Sequence, residues 1–151
     1  MNKALASAAT RQGVLGEMRG MGWEMSVDPN MSVLVVDDYR TMVRIIRNLL
    51  KQLGFTHVDE ASDGTSALDM MRHKQYGLVI SDWNMEPMTG YELLREVRSD
   101  MDLAKTPFLM VTAESRAENV MAARQAGVNS YIVKPFNAAT LRTKIESIFG
   151  R

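Results

Sequence analysis

The sequence predicts an α/β protein in which helices cover both faces of a five-stranded parallel sheet. Two observations carry this. From Met31 onward, short β-rich apolar runs alternate with segments of helical period. Most of those runs are apolar at nearly every position, as strands covered on both faces must be.

The strands fall at residues 32–37, 57–61, 78–82, 108–112 and 130–133. After the first, Met42, Ile45, Ile46, Leu49 and Leu53 recur at helical spacing, and Gly54 supplies the left-handed stop. Thr89 with Glu92, and Ser115 with Glu118, form capping-box patterns at the starts of the third and fourth helices, and Gly127 ends the fourth. The last helix follows an Asn137 cap and aligns Leu141, Ile145, Ile148 and Phe149. In the fourth, only Val120 and Met121 are large apolar anchors among Ala117, Ala122, Ala123 and Ala126. A helix that buries so little apolar area is expected to be held loosely.

A chain of 151 residues, 46% hydrophobic and 24% charged, suits one globular domain, assigned to residues 31–151. In residues 1–30, Gly13, Gly16, Gly20 and Gly22 break any helical pattern, and no sustained apolar stretch marks a signal peptide. A flexible extension is expected there. Eighteen basic residues balance eighteen acidic ones, so the strong positive field of a non-specific nucleic-acid binder is missing. The lack of cysteine excludes disulfides, thiolate metal sites and cysteine nucleophiles, and His57 and His73 lack ligand spacing. The longest apolar runs are too short to span a bilayer. The expectation is a cytoplasmic monomer that engages neither nucleic acid nor membrane.

In an open parallel sheet, ligands bind beyond the carboxyl ends of the strands. Strand one ends in Asp37-Asp38, strand three in Asp82 and strand four in Thr112, while strand five runs into Lys134-Pro135. Each residue alone has an ordinary structural explanation: a helix cap, a turn residue, a strand residue, a solvated charge. Their convergence on one edge points to chemistry instead. Two carboxylates about 5 Å apart repel by roughly 3 kcal/mol at an effective dielectric near 20, so three of them demand compensation. A divalent cation and Lys134 supply it, and all-oxygen ligands with few protein donors favour Mg²⁺. Such a site stabilises charge on a transferring phosphoryl group, with Asp82 as the attacking oxygen.

These residues sit in strings that resemble the response-regulator receiver domain over about residues 32–150. They are Val35-Val36-Asp37-Asp38, Thr41-Met42, Arg47-Asn48-Leu49-Leu50, Val79-Ile80-Ser81-Asp82-Trp83-Asn84-Met85, Met110-Val111-Thr112-Ala113-Glu114 and Tyr131-Ile132-Val133-Lys134-Pro135-Phe136. The aspartate pair, acceptor aspartate, threonine and lysine mark receivers in general. Trp83-Asn84-Met85, Tyr131 and the run from Val133 to Phe136 are similar to the single-domain chemotaxis branch.

The resemblance implies a flavodoxin-like (βα)5 fold with strand order 2-1-3-4-5. It implies phosphorylation of Asp82, and Mg²⁺ held by Asp38, Asp82 and the main-chain carbonyl of Asn84, with Asp37 acting through water. Lys134 would pair with the phosphoryl group and Thr112 would hydrogen-bond it. Tyr131 would turn inward and alter a partner face carrying Val120, Val133 and Lys144. A cis Lys134–Pro135 bond belongs to the same pattern. Implied partners are a CheA-like histidine kinase and a FliM-like flagellar motor switch protein, with the surface itself as output. Catalysis would be limited to the chain's own Mg²⁺-dependent phosphorylation and dephosphorylation. A stand-alone phosphorelay or phosphate-sink role is the alternative.

The loop after Asp82 departs from the family. Proline usually follows the methionine at Met85, whereas here Glu86 does and proline is displaced to Pro87; Thr89 stands where an aspartate commonly precedes the glycine at Gly90. Glu86 and Glu114 are candidate modulators of the acyl phosphate, and an exposed carboxylate without a role is the plainer reading of Glu86. Enzymes on similar folds fit poorly. A dinucleotide-binding oxidoreductase wants a glycine-rich turn where Asp37-Asp38-Tyr39-Arg40 stands. An aspartate-nucleophile phosphatase wants an acid two residues past the nucleophile, where Asn84 stands.

Overall fold

A computed structural model describes residues 27–113 and 116–150. Strands β1 (Val33–Val36), β2 (Val58–Ala61), β3 (Leu78–Asp82), β4 (Phe108–Thr112) and β5 (Ser130–Val133) alternate with helices α1 (Arg40–Gln52), α2 (Gly64–His73), α3 (Gly90–Ser99), α4 (Ala117–Gln125) and α5 (Ala138–Phe149). All strand pairings are parallel, in the order β2-β1-β3-β4-β5. Strands β3 to β5 match the sequence reading, while β1 and β2 are shorter than expected. Asp37 therefore lies just past β1, although its N–H still reaches the Ala61 carbonyl at 3.1 Å.

The strand period of two sorts the core into two layers. Val33, Val35, Leu78, Ile80, Leu109 and Val111 join Ile46 and Leu50 of α1 and Leu141 and Ile145 of α5. Their neighbours Leu34, Val36, Val79, Phe108 and Met110 join Ala67, Leu68 and Met71 of α2 and Leu93, Leu94 and Val97 of α3. Each such leucine or isoleucine contributes on the order of 2 kcal/mol through burial, which makes the register costly to slip. Val27, 3% exposed, belongs to the first layer. The extension expected over residues 1–30 otherwise lies, up to residue 26, outside the described residues.

Local signals account for most helix ends. Asp63 caps α2 by accepting from Ser66 N–H at 2.7 Å. Thr89 and Glu92 form the expected reciprocal capping box on α3, and Asn137 accepts from Thr140 N–H on α5. Gly54 and Gly127 take φ values of 100° and 96°, the left-handed conformation that a Cβ disfavours. The expected Ser115 cap is corrected. The N-cap of α4 is Arg116, without a side-chain cap bond, because the helix begins at Ala117; Ser115 itself lies outside the described residues.

Helix α4 is thinly anchored, as its composition suggests. Ala123 is buried, Val120 is half-buried and Met121 is 58% exposed. Its C-terminal end is tied instead by Arg98 of α3. That guanidinium donates to the carbonyls of Gly127 at 2.9 Å, Ala104 at 3.0 Å and Thr106 at 2.7 Å, and to Asn129 Oδ1 at 2.8 Å. Asn129 Oδ1 also accepts from Phe108 N–H at the start of β4.

Candidate functional site

Main-chain bonds that continue past the strand ends set the positions of the polar side chains. Trp83 N–H donates to the Val111 carbonyl at 2.9 Å and Lys134 N–H to the Thr112 carbonyl at 2.8 Å. The residues flanking β3 and β5 are thus held beside β4. Tyr39 N–H donates to Asp37 Oδ1 at 2.9 Å and turns the chain from β1 into α1. Asp37, Asp38 and Asp82 are brought together, with one oxygen from each within 4.8 Å of the others. Asp37 is 2% exposed and Asp82 5%, whereas Asp38 is exposed.

Lys134 Nζ stands 3.0 Å from Asp82 Oδ1 and 3.9 Å from Asp37 Oδ2. The shorter contact pairs the ammonium with the acceptor carboxylate, and Asp37 Oδ2 is buried with no hydrogen-bond partner. Burial pushes the Asp37 carboxyl up to about 6; the Tyr39 N–H opposes the rise, the Asp82 charge adds to it, and Lys134 offsets part of it. Asp82 is also raised, first by burial, with the Lys134 ammonium pulling the other way. One ammonium among three carboxylates leaves negative charge uncompensated. Oxygen donors alone, one of them orphaned, suit a hard divalent cation.

The loop after Asp82 is closed by a contact that sequence reasoning missed. Gly90 N–H donates to the Trp83 carbonyl at 2.8 Å, and a Cβ built on Gly90 would lie 2.0 Å from the Asp82 carbonyl oxygen. No side chain fits there. Only the family pattern hints at this in the sequence. Asn84, Glu86 and Pro87 are exposed, and the Glu86–Pro87 bond is cis, as is Lys134–Pro135. Glu114 lies outside the described residues.

Behind the acids, buried Thr112 and half-buried Tyr131 line one small cavity with Trp83, Met110, Val120 and Ala123. Lys144 Nζ sits over the Tyr131 ring, 5.3 Å from its centroid. Val133 is half-buried on the same strand as Tyr131. Trp83 stacks on Tyr91 of α3 at 5.4 Å, with the Arg95 guanidinium 5.9 Å from the Tyr91 ring, a column that the sequence reading did not anticipate.

The profile described as "Response regulator receiver domain" matches residues 33–146. The chain belongs to that family. Over 121 residues the receiver is 54% identical to the chemotaxis protein CheY of Pseudomonas aeruginosa, spanning 80% of this chain and 98% of that one. A structure of the chemotaxis protein CheY4 of Vibrio cholerae is similar at 32% identity and a TM-score of 0.74, covering 80% of this chain and 99% of that one. The receiver domain of a Pseudomonas aeruginosa sensor histidine kinase is similar at 26% identity and a TM-score of 0.73, covering 81% and 99%; it holds a magnesium ion in its active-site cleft. The receiver family binds Mg²⁺ at its acidic site, and its members are phosphoacceptor switches rather than enzymes in the ordinary sense. Among the described residues, no helix is long and apolar enough to cross a membrane.

Proposed function

We propose that this receiver is a chemotaxis switch in which Asp82 accepts a phosphoryl group from a histidine kinase and the resulting change is read by the flagellar motor switch. The observation that carries the reading is a nearly buried Asp82 carboxylate, paired with Lys134 at 3.0 Å beside two further carboxylates. An Asp82 oxygen attacks phosphorus as the N–P bond of a phosphohistidine breaks. The bonding pair stays on the imidazole nitrogen, which takes up a proton. Asp38, Asp82 and the Asn84 carbonyl would hold Mg²⁺, with Asp37 acting through water. When bound, Mg²⁺ supplies positive charge to the phosphoryl oxygens.

Lys134 then has a phosphoryl oxygen to pair with in addition to its carboxylates. Thr112, one strand away, is the hydroxyl that follows the new charge. Tyr131 shares its cavity and moves with it, changing the surface of α4, β5 and α5 that carries Val120, Val133 and Lys144. Thin anchoring of α4 lets a few charge-assisted hydrogen bonds shift the balance. Autodephosphorylation, with Glu86 and Glu114 as modulators, belongs to the same proposal.

Phosphoramidate with Mg²⁺ should add one labile phosphoryl group to the native protein and none to Asp82→Asn. Persistence of the mass shift in that variant sinks the assignment. A motor-switch peptide should bind the phosphorylated form more tightly, and Tyr131→Ala should weaken that preference. Indifference to both counts against the motor reading and leaves a phosphorelay or phosphate sink.

A further inference from the structure

The cavity behind Thr112 has two aromatic walls, and they are held unequally. Buried Thr112, Met110 and Ala123 line it together with half-buried Val120, Trp83 and Tyr131. The two rings are the side chains bulky enough to fill the space that Thr112 leaves when it turns toward a new charge. Trp83 is pinned at both ends of its main chain, by its N–H on the Val111 carbonyl and by the Gly90 N–H on its own carbonyl. Its side-chain torsions are what remain. Tyr91 restrains those: the rings stack at 5.4 Å between centroids and 17° between planes, with the Arg95 guanidinium 5.9 Å from the Tyr91 ring. Tyr91 itself stands in the first turn of α3, where the Thr89–Glu92 capping box fixes the helix start. Its ring is thus presented from a rigid platform. Tyr131 meets an ammonium on a flexible stem instead, with Lys144 Nζ 5.3 Å from its centroid.

A small cavity admits one of the two rings, since close-packed interiors leave no room for both. An indole free to swing would take the space that Tyr131 needs, and the signal would stop inside the molecule. We propose that Tyr91 is a positioning residue for the switch: by stacking on Trp83 it reserves the cavity behind Thr112 for Tyr131. This rests on the reading of Asp82 as phosphoryl acceptor and of Tyr131 as the ring that turns inward. An offset aromatic stack favours the stacked rotamer by about fivefold beyond simple burial. The Arg95 guanidinium adds a smaller bias by holding the Tyr91 ring in turn. Tyr91 takes no part in bond making at phosphorus, so its loss should alter how the phosphoryl group is read rather than whether it is accepted.

The test uses the full chain carrying Trp23→Phe, which leaves Trp83 as the single tryptophan, labelled with 3-fluorotyrosine and treated with phosphoramidate and Mg²⁺. Mass spectrometry counts the phosphoryl group. The Tyr131 fluorine resonance, assigned with Tyr131→Phe, follows the inward turn, and acrylamide quenching of Trp83 fluorescence follows the indole. In this parent protein, phosphorylation should shift the Tyr131 resonance and leave the quenching of Trp83 nearly unchanged. In Tyr91→Ala, the ratio of inward to outward Tyr131 should fall about fivefold, and phosphorylation should make Trp83 harder to quench as the indole enters the cavity. Tyr91→Gln, a good helix former without a ring, should show the same two changes and serves if the alanine protein fails to fold. Tyr91→Phe, which keeps the stacking ring, should behave as the parent. A full Tyr131 shift in the variants without a ring, or a reduced shift with no added protection of Trp83, overturns the proposal. A parent that takes no phosphoryl group overturns the acceptor reading instead, and one that takes it without a Tyr131 shift overturns the reading of Tyr131.

Discussion

At Asp37, burial and charge act against each other. The folded protein holds this carboxyl up to about 6, above its ordinary value of 3.8, so the folded state binds the proton more tightly than the unfolded chain. Stability from this group is full below about pH 4 and is lost as pH rises towards 6. Without divalent cation, the native protein should therefore lose on the order of 2 kcal/mol across that window, as measured by urea unfolding at a series of pH values. Asp37→Asn should flatten the profile and be the more stable protein at pH 7; an unchanged slope would contradict the assignment. Gly90 sets a steric limit rather than an electrostatic one. With a Cβ 2.0 Å from the Asp82 carbonyl oxygen, Gly90→Ala must displace the acceptor loop. We expect a loss of roughly 2 kcal/mol or more in stability and a marked fall in phosphorylation by phosphoramidate. Asp82 and Lys134 were readable as strand-end chemistry. The Gly90 contact was not, because it depends on how an eight-residue stretch closes in space.

Among the elements, α4 and Arg98 form a contrast. The helix has few apolar anchors, yet the residues just beyond its end are gripped by a side chain from α3. Backbone amides of α4 should exchange with solvent faster than those of α1, α3 and α5, each of which buries two leucines or isoleucines in the core; equal protection in all four would refute the weak anchoring. Arg98→Met keeps much of the side chain's apolar stem but strands the carbonyls of Ala104, Thr106 and Gly127 and leaves Asn129 Oδ1 with only the Phe108 N–H. It should cost roughly 2–3 kcal/mol in urea unfolding, and Arg98→Lys should recover little, because one ammonium cannot reproduce the fork. Poor anchoring of α4 was legible from its alanines. The arginine clamp was not, since Arg98 and Asn129 lie 31 residues apart and nothing in their spacing couples them.

For the whole molecule, the carboxylate cluster couples cation binding to folding, because the unfolded chain lacks the convergent site. Mg²⁺ at a hundredfold excess over its dissociation constant should raise stability by about 2.7 kcal/mol. A thermal-unfolding series with increasing Mg²⁺ should show the rise in the native protein and a much smaller one in Asp38→Asn. Sequence alone determined the alternation of strand and helix, the apolar strand interiors and the polar residues at the strand ends, because these depend on periodicity and on neighbours within a few positions. The family resemblance added the strand order, which the structure bears out. Tertiary structure decided which groups became partners: the orphaned Asp37 Oδ2, the 3.0 Å pairing of Lys134 with Asp82 and the Trp83–Tyr91 stack. Those depend on distances between residues remote in the chain, and only the packed sheet and its two helical layers set such distances.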